Sequence, residues 1–250
     1  ELIVEIPQTD VKVKLTIIQS KYYKVGDLYV VNGEPLGLVY EISDGGAHGK
    51  VVALKAHRDL NLWYRTGLPY DEIHPEDPNN VGVIARSETD GQENMKAYKQ
   101  IPDWKTHYPV AAYVSDLNDE NGNPGWYLPA IKEVQAMVGW IDGEVLSPDG
   151  EAGQEPSEAM KEKRKAINQL IVDNGGNEFY FYGYDVSFII DQTNAWEADY
   201  FNRIYTSTET DYQVHPMVFK FYLRNGWWET MHVYGDLAGS YGEVRPFLAF

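Results

Sequence analysis

The apolar positions of this chain change period along its length, and the changes mark its elements. Over residues 1–18 they alternate loosely, with Leu2, Val4 and Ile6 on one face, Val11, Val13, Leu15 and Ile17 on another, and Pro7 between. A period of two is the signature of strands, so one or two are expected here, as an N-terminal extension over 1–20. Short strands follow at Leu28–Val31, 37–42 and 50–54, separated by Asn32-Gly33 and Gly45-Gly46, where glycine supplies a positive φ. Residues 66–90 are rich in Pro, Asp, Asn and Gly and read as loop. Asp90 is placed to cap a helix over 91–99, which Pro102 closes. A second polar loop over 116–125 leads to Trp126-Tyr127-Leu128-Pro129. Pro129 suits a first helical turn, where its missing N–H would be unpaired anyway, and Ile131, Val134 and Val138 then fall on one face.

Pro156 and Glu158 open a further helix whose buried stripe is expected to be Met160, Ala166, Ile167, Leu170 and Ile171. Lys161, Glu162, Lys163 and Arg164 supply its solvated face, and Gly175-Gly176 stop it. The last third reads as strands, at 179–190, 218–224 and 227–234. The last two flank Asn225-Gly226, the strongest short-range hairpin signal. A two-residue turn there would set Arg224 opposite Trp227, Leu223 opposite Trp228 and Tyr222 opposite Glu229. Phe219, Phe221, Leu223 and Trp228 would then face the core, and Lys220, Tyr222, Arg224, Trp227 and Glu229 the solvent. The chain carries no internal repeat and no low-complexity tract.

Composition narrows the classes. With 43% hydrophobic residues the 250-residue chain can bury a substantial core, which excludes global disorder. The 19 Tyr and 7 Trp favour an aromatic-rich sheet protein with long loops. A net charge of −17 without a Lys/Arg cluster argues against nucleic acid and against insertion into an anionic membrane. No run reaches the roughly 18 apolar residues of a membrane span. The absence of cysteine removes disulfides, zinc–thiolate sites and thiol nucleophiles. The chain opens on Glu1, so a segment upstream is expected to have been removed, by signal cleavage or by choice of boundary.

Candidate chemistry is sparse. There is no Gly-x-Ser-x-Gly, and His48, His57, His74, His107, His215 and His232 are scattered without a metalloprotease spacing. Carboxylates are abundant, but no pair stands out as a glycosidase couple. Asp116, Asn118 and Glu120, and likewise Asp119, Asn121 and Asn123, place oxygen ligands at alternate positions, as a calcium loop does. Neither frame ends in the required glutamate, and Pro124 stands where the second needs glycine, so a polar turn is favoured over a metal site. No catalytic residue, metal or cofactor is expected.

Six short segments, in order, carry a resemblance. They are Tyr23-Lys24-Val25-Gly26-Asp27, His48-Gly49-Lys50-Val51-Val52-Ala53-Leu54, Asp90-Gly91 with Asn94-Met95, Trp126-Tyr127-Leu128-Pro129-Ala130 with Glu133, Thr206-Ser207-Thr208-Glu209, and Val244-Arg245-Pro246 with Ala249-Phe250. Together they resemble surface domains of the C-type lectin-like superfamily found in Bacteroides-type gut bacteria. The resemblance covers 22–250, departs from the usual Trp-Ser at Tyr205-Thr206, and has a long stretch from Trp140 to Tyr205. It implies an α+β, C-type lectin-like fold over 21–250, with twisted, mostly antiparallel sheets and two or three flanking helices. The helix after Pro129 would be the second of these, 205–209 a central strand, and 244–250 a return beside the N-terminal strands. The related formylglycine-generating enzymes work through cysteines, which are absent here.

The resemblance also implies an exported domain at the outer surface, secreted, lipid-anchored or pilus-associated. The expected function is non-catalytic recognition or adhesion, with a glycan or surface protein as partner. The alternatives are a structural subunit of a pilus or larger surface assembly, and a carbohydrate-active enzyme. Glu133, Glu209 and Arg245 are charges inside apolar motifs and are expected to be buried and bonded, Glu209 and Arg245 with each other. For the ligand site, Trp196, Asp199 and Tyr200 are expected to meet Tyr212, Asp236 and Tyr241 on one face. Their rings would stack on a sugar while acids and amides take its hydroxyls.

Overall fold

A computed structural model describes residues 2–5, 12–15, 22–58, 84–121, 125–142, 157–179, 203–209, 216–221, 228–232 and 243–250. Strands β1 (Leu2–Glu5) and β2 (Lys12–Leu15) pair antiparallel, with Leu2 opposite Leu15. β3 (Leu28–Val31) turns through Asn32 and Gly33, at φ 52° and 88°, into β4 (Glu34–Ser43). Two consecutive left-handed residues make the tight turn whose twist matches the flanking strands. A single 3-10 turn at Asp44–Gly46 leads into β5 (His48–Ala53). Then come α1 (Gly91–Tyr98), α2 (Trp104–His107), α3 (Pro109–Asn121), α4 (Ile131–Asp142) and α5 (Glu158–Asp173). β6 (Arg203–Glu209), β7 (Pro216–Phe221), β8 (Trp228–His232) and β9 (Phe247–Ala249) follow.

The strands make β1-β2, β3-β4-β5-β9 and β6-β7-β8, and each of these ladders is antiparallel. The class is therefore α+β, and the return of the last residues beside β5 is as expected. Helix α4 buries Ile131, Val134 and Val138, joined one turn apart by Met137 and Ile141. Those side chains belong to one core with Leu38, Val39 and Tyr40 of β4, Val51 and Val52 of β5, and Phe247 and Leu248 of β9.

The caps of α1 and α5 obey local chemistry. The Asp90 carboxylate accepts from the Glu93 N–H at 3.0 Å, and the Ser157 hydroxyl accepts from Met160 N–H at 3.3 Å. Gly175, at φ 75°, ends α5 in the left-handed conformation.

Four expectations need correction. Residues 116–121 are not a loop but the last turns of α3, so helices number five among the described residues rather than two or three. In a helix, positions two apart point about 200° apart, so Asp116 and Asn118 cannot converge on one cation. Asp116 instead pairs with Lys105, and Asn118 holds Trp126. The polar ends of these residues hid the period of Val110, Ala111 and Val114, which are buried beside half-buried Tyr113 and Leu117.

On α5, Arg164 is 1% exposed, not solvated, while Ala166 is exposed. The buried face runs Arg164, Ile167, Asn168, Ile171, a helical spacing whose polar members an apolar count misses. The β7–β8 ladder sets Phe221 opposite Trp228 and Lys220 opposite Glu229, two residues away from the expected register. A two-residue slip keeps the alternation in phase, so the hydrophobic pattern could not choose between the two. Residues 222–227, with the Asn225-Gly226 dipeptide and Trp227, lie outside the described residues, as do 180–190 of the expected strand and 66–83 of the expected loop.

Candidate functional site

The buried charges of the motifs are committed to backbone. Glu133 of α4 is 3% exposed. Its Oε2 accepts from Gly91 N–H at 3.0 Å and Ala130 N–H at 2.9 Å, and its Oε1 accepts from the Tyr127 hydroxyl at 2.8 Å. Lys50 closes the cluster at 3.0 Å from the same carboxylate. Burial, with the carboxylate next, pushes the Tyr127 hydroxyl far above its usual range. Glu209 accepts from the amides of Ile84 and Ala85 at 2.9 and 3.2 Å.

Strand β6 stitches three segments. The amides of Tyr205, Ser207 and Glu209 donate to the carbonyls of Glu243, Pro129 and Ala85 at 3.0, 2.7 and 2.8 Å. β7 pairs along its other edge, and in the sheet order β6-β7-β8 the strand is an outer one rather than the expected central one.

Arg245 is wholly buried, but its acidic partner is Glu243, not Glu209. Its two terminal nitrogens donate to the carbonyls of Ala53 (3.1 Å), Leu54 (3.0 Å), Asn177 (2.7 Å) and Glu178 (3.3 Å). Its guanidinium carbon lies 4.0 Å from the centre of the Phe179 ring. Glu243 also accepts from Arg58 Nε and Nη2 at 2.9 and 2.7 Å, which makes an Arg58–Glu243–Arg245 triad. The planar fork suits guanidinium to this task. The sequence signal for Glu243 was its place two residues before Arg245, but that spacing was not used. Burial raises the nearby Glu178 carboxyl, and Arg58 opposes that shift.

Three asparagines act alike. Asn94, Asn118 and Asn168 each accept the N–H and donate to the C=O of a single residue: Ser87 (2.9 and 2.7 Å), Trp126 (2.6 and 2.8 Å) and Phe179 (2.8 and 2.8 Å). A carboxamide carries the same donor and acceptor as a peptide, so each clasp satisfies a backbone residue that has no strand beside it.

An open cleft of about 440 Å³ lies between the sheet and the helices. Its floor is Ala53, Leu54 and Pro246, and the Ala53 and Leu54 carbonyls themselves accept from Arg245. One wall is Glu34, Pro35 and Leu36 of β4, with Lys55 just past β5. The other is Tyr113 and Leu117, one turn apart on α3, with Trp126 beside them. Asn174 and Gly175, past the end of α5, close it.

The aromatic walls are held. Trp126 is pinned by the Asn118 clasp, and the Tyr113 ring stacks on His57 at 4.2 Å between centroids. Among the described residues, Glu34 is the lining's one carboxylate and no histidine lines it. An apolar cleft with a few polar groups at its edge fits binding of a small ligand.

The residues expected to form the ligand site, Trp196, Asp199, Tyr200, Tyr212, Asp236 and Tyr241, all lie outside the described residues. The cleft was not foreseen. Its lining comes from six separated stretches of sequence, and only Tyr113 and Leu117, four residues apart, leave a local signal.

A scan against protein-family models matches none, and a search of curated proteins finds no match. Among solved structures, the chain is similar to a fimbrial protein from Bacteroides ovatus, at 16% identity and a TM-score of 0.49. The match covers 91% of this chain and 49% of that one, so the chain spans about half the length of the fimbrial protein.

Proposed function

We propose that this chain is a non-catalytic recognition domain of C-type lectin-like fold, exported to the outer surface, which binds a glycan or protein ligand in the cleft beside Tyr113 and Trp126. The observation that carries the reading is a division of labour. The buried motif charges Glu133, Glu209 and Arg245 grip backbone, while the open concavity offers aromatic and aliphatic walls with a single carboxylate. Five of the six motif segments, which carry the lectin-like resemblance, are bonded to one another through β6, Glu133 and Arg245, and the first, 23–27, is bonded to Val39 and Gly46, so the motif charges serve the scaffold.

Leu117→Trp, which fills the cleft, tests this. It should abolish whatever binding the parent shows on glycan or peptide arrays while leaving the melt in place. Release of reducing ends from a bound glycan would overturn the non-catalytic assignment.

A second reading, a structural subunit of a surface assembly, draws on β1 and β2. They pair with each other and with no third strand among the described residues, which leaves an edge for another chain.

A further inference from the structure

Resting on that reading of the cleft, we propose that its ligand is an uncharged sugar ring, stacked on Tyr113 and Trp126 and hydrogen-bonded at its rim to Glu34, Lys55 and Asn174. Size comes first. About 440 Å³ lies near the small end of the range for small-molecule clefts, room for one or two rings rather than a folded segment.

The lining is amphipathic in a particular way. Tyr113, Leu36 and Leu117, with the edge of Trp126, give apolar surface, and the carboxylate of Glu34, the ammonium of Lys55 and the carboxamide oxygen of Asn174 give acceptors and donors. A hydroxyl both donates and accepts, so a polyol satisfies all three. A purely apolar ligand would cover Glu34 and Lys55 without giving them partners, a cost that opposes its binding.

Charge selects further. Glu34 and Lys55 carry opposite signs across one cleft, so a ligand of either net charge gains from one and is opposed by the other. The −17 charge of the whole chain adds a bias against anionic sugars.

The site is also set before the ligand arrives. The Trp126 main chain is held by Asn118 and its ring is packed in the core, Tyr113 is stacked on His57, and Asn174 donates its Nδ2 to Leu170 O at 2.8 Å. Rigid aromatic anchors lose little freedom on binding.

The whole chain should be screened on an array of neutral, amino, sulfated and sialylated glycans and on a peptide array, with hits titrated by calorimetry. Neutral glycans should bind, about tenfold more weakly to Tyr113→Ala and not at all to Leu117→Trp. Lys55→Met, at an exposed position, should weaken binding without moving the melt, which keeps the test sound if a wall variant misfolds. No neutral glycan hit, preference for sulfated or sialylated members, or neutral binding unchanged in these variants would each overturn the proposal. Peptide binding lost in Leu117→Trp, with no glycan bound, would sink the sugar but leave the cleft as a recognition site. Binding of either class that ignores Leu117→Trp would remove both.

Discussion

Replacing Arg245 by alanine should lower stability by about 3–5 kcal/mol, the loss typical when one partner of a buried ion pair is removed. The structure shows how that figure arises. Glu243 keeps Arg58 at 2.9 and 2.7 Å, so its charge is only half stranded. Leu54 O retains the Asn177 amide at 2.9 Å, and Glu178 O retains Arg58. The Ala53 and Asn177 carbonyls lose their guanidinium donors, at about 1 kcal/mol or more each. The Phe179 ring loses a cation packed 4.0 Å away. Urea unfolding followed by tryptophan fluorescence reads the change, and equal m-values would show that the same surface unfolds in parent and variant. At 2–4 °C per kcal/mol for a chain of this size, the midpoint should fall by roughly 6–20 °C. Arg245→Lys should recover less than half, because an ammonium cannot span carbonyls and carboxylate together. Arg58→Ala, at a side chain 17% exposed, should cost less than Arg245→Ala. An Arg245→Ala protein within about 1 kcal/mol of the parent would refute the reasoning.

Two further outcomes can be measured on the same footing. Burial holds the Tyr40 and Tyr127 hydroxyls above their ordinary range, so above pH ~10 the unfolded chain loses protons that the folded one keeps. Stability is then intact below the unfolded value and falls as pH rises, by about 1.4 kcal/mol per pH unit for each group. Tyr40→Phe should halve the slope these two contribute and cost little at pH 7, since its hydroxyl has no hydrogen-bond partner among the described residues. An unchanged slope in denaturant titrations at pH 10–11 would count against this. Gly91→Ala should destabilise by about 1–3 kcal/mol, although the same change in an open helix stabilises. A Cβ there would press on the Leu128 carbonyl and stand 2.8 Å from the Tyr127 ring. Thermal melts decide the sign.

What the chain revealed by itself was local or chemically conspicuous. The β3–β4 turn, the caps at Asp90 and the stop at Gly175 rest on single residues whose conformational needs are plain. Glu133, Glu209 and Arg245 stood out because a charge inside an apolar run demands a partner, and all three are buried and bonded. The partner of Arg245 was misassigned because a partner's identity depends on tertiary closure, and Glu243, two residues before it in the chain, takes the place given to Glu209. Helix α3 and the Arg164 face of α5 were missed for one reason. Polar side chains that bond inside the domain look, in sequence, the same as polar side chains in water. The cleft was illegible because residues 34, 55, 113, 126, 174 and 246 become neighbours only in three dimensions.

The position of β6 has a consequence for how the chain reaches this structure. Its bonds to 84–85 and to Tyr98 join residues 109 to 125 positions apart, and its Tyr205 amide donates to Glu243 O. The outer edge of β5 waits likewise for β9. A chain emerging N-terminus first therefore carries an open strand edge until residues 243–249 arrive, the condition in which nascent sheets aggregate. Such a topology should close late and slowly, since distant loop ends must meet before their contacts repay the lost freedom. The intermediate calls for a holding chaperone, and a fragment cut before Glu243 should be trapped in that unfinished state.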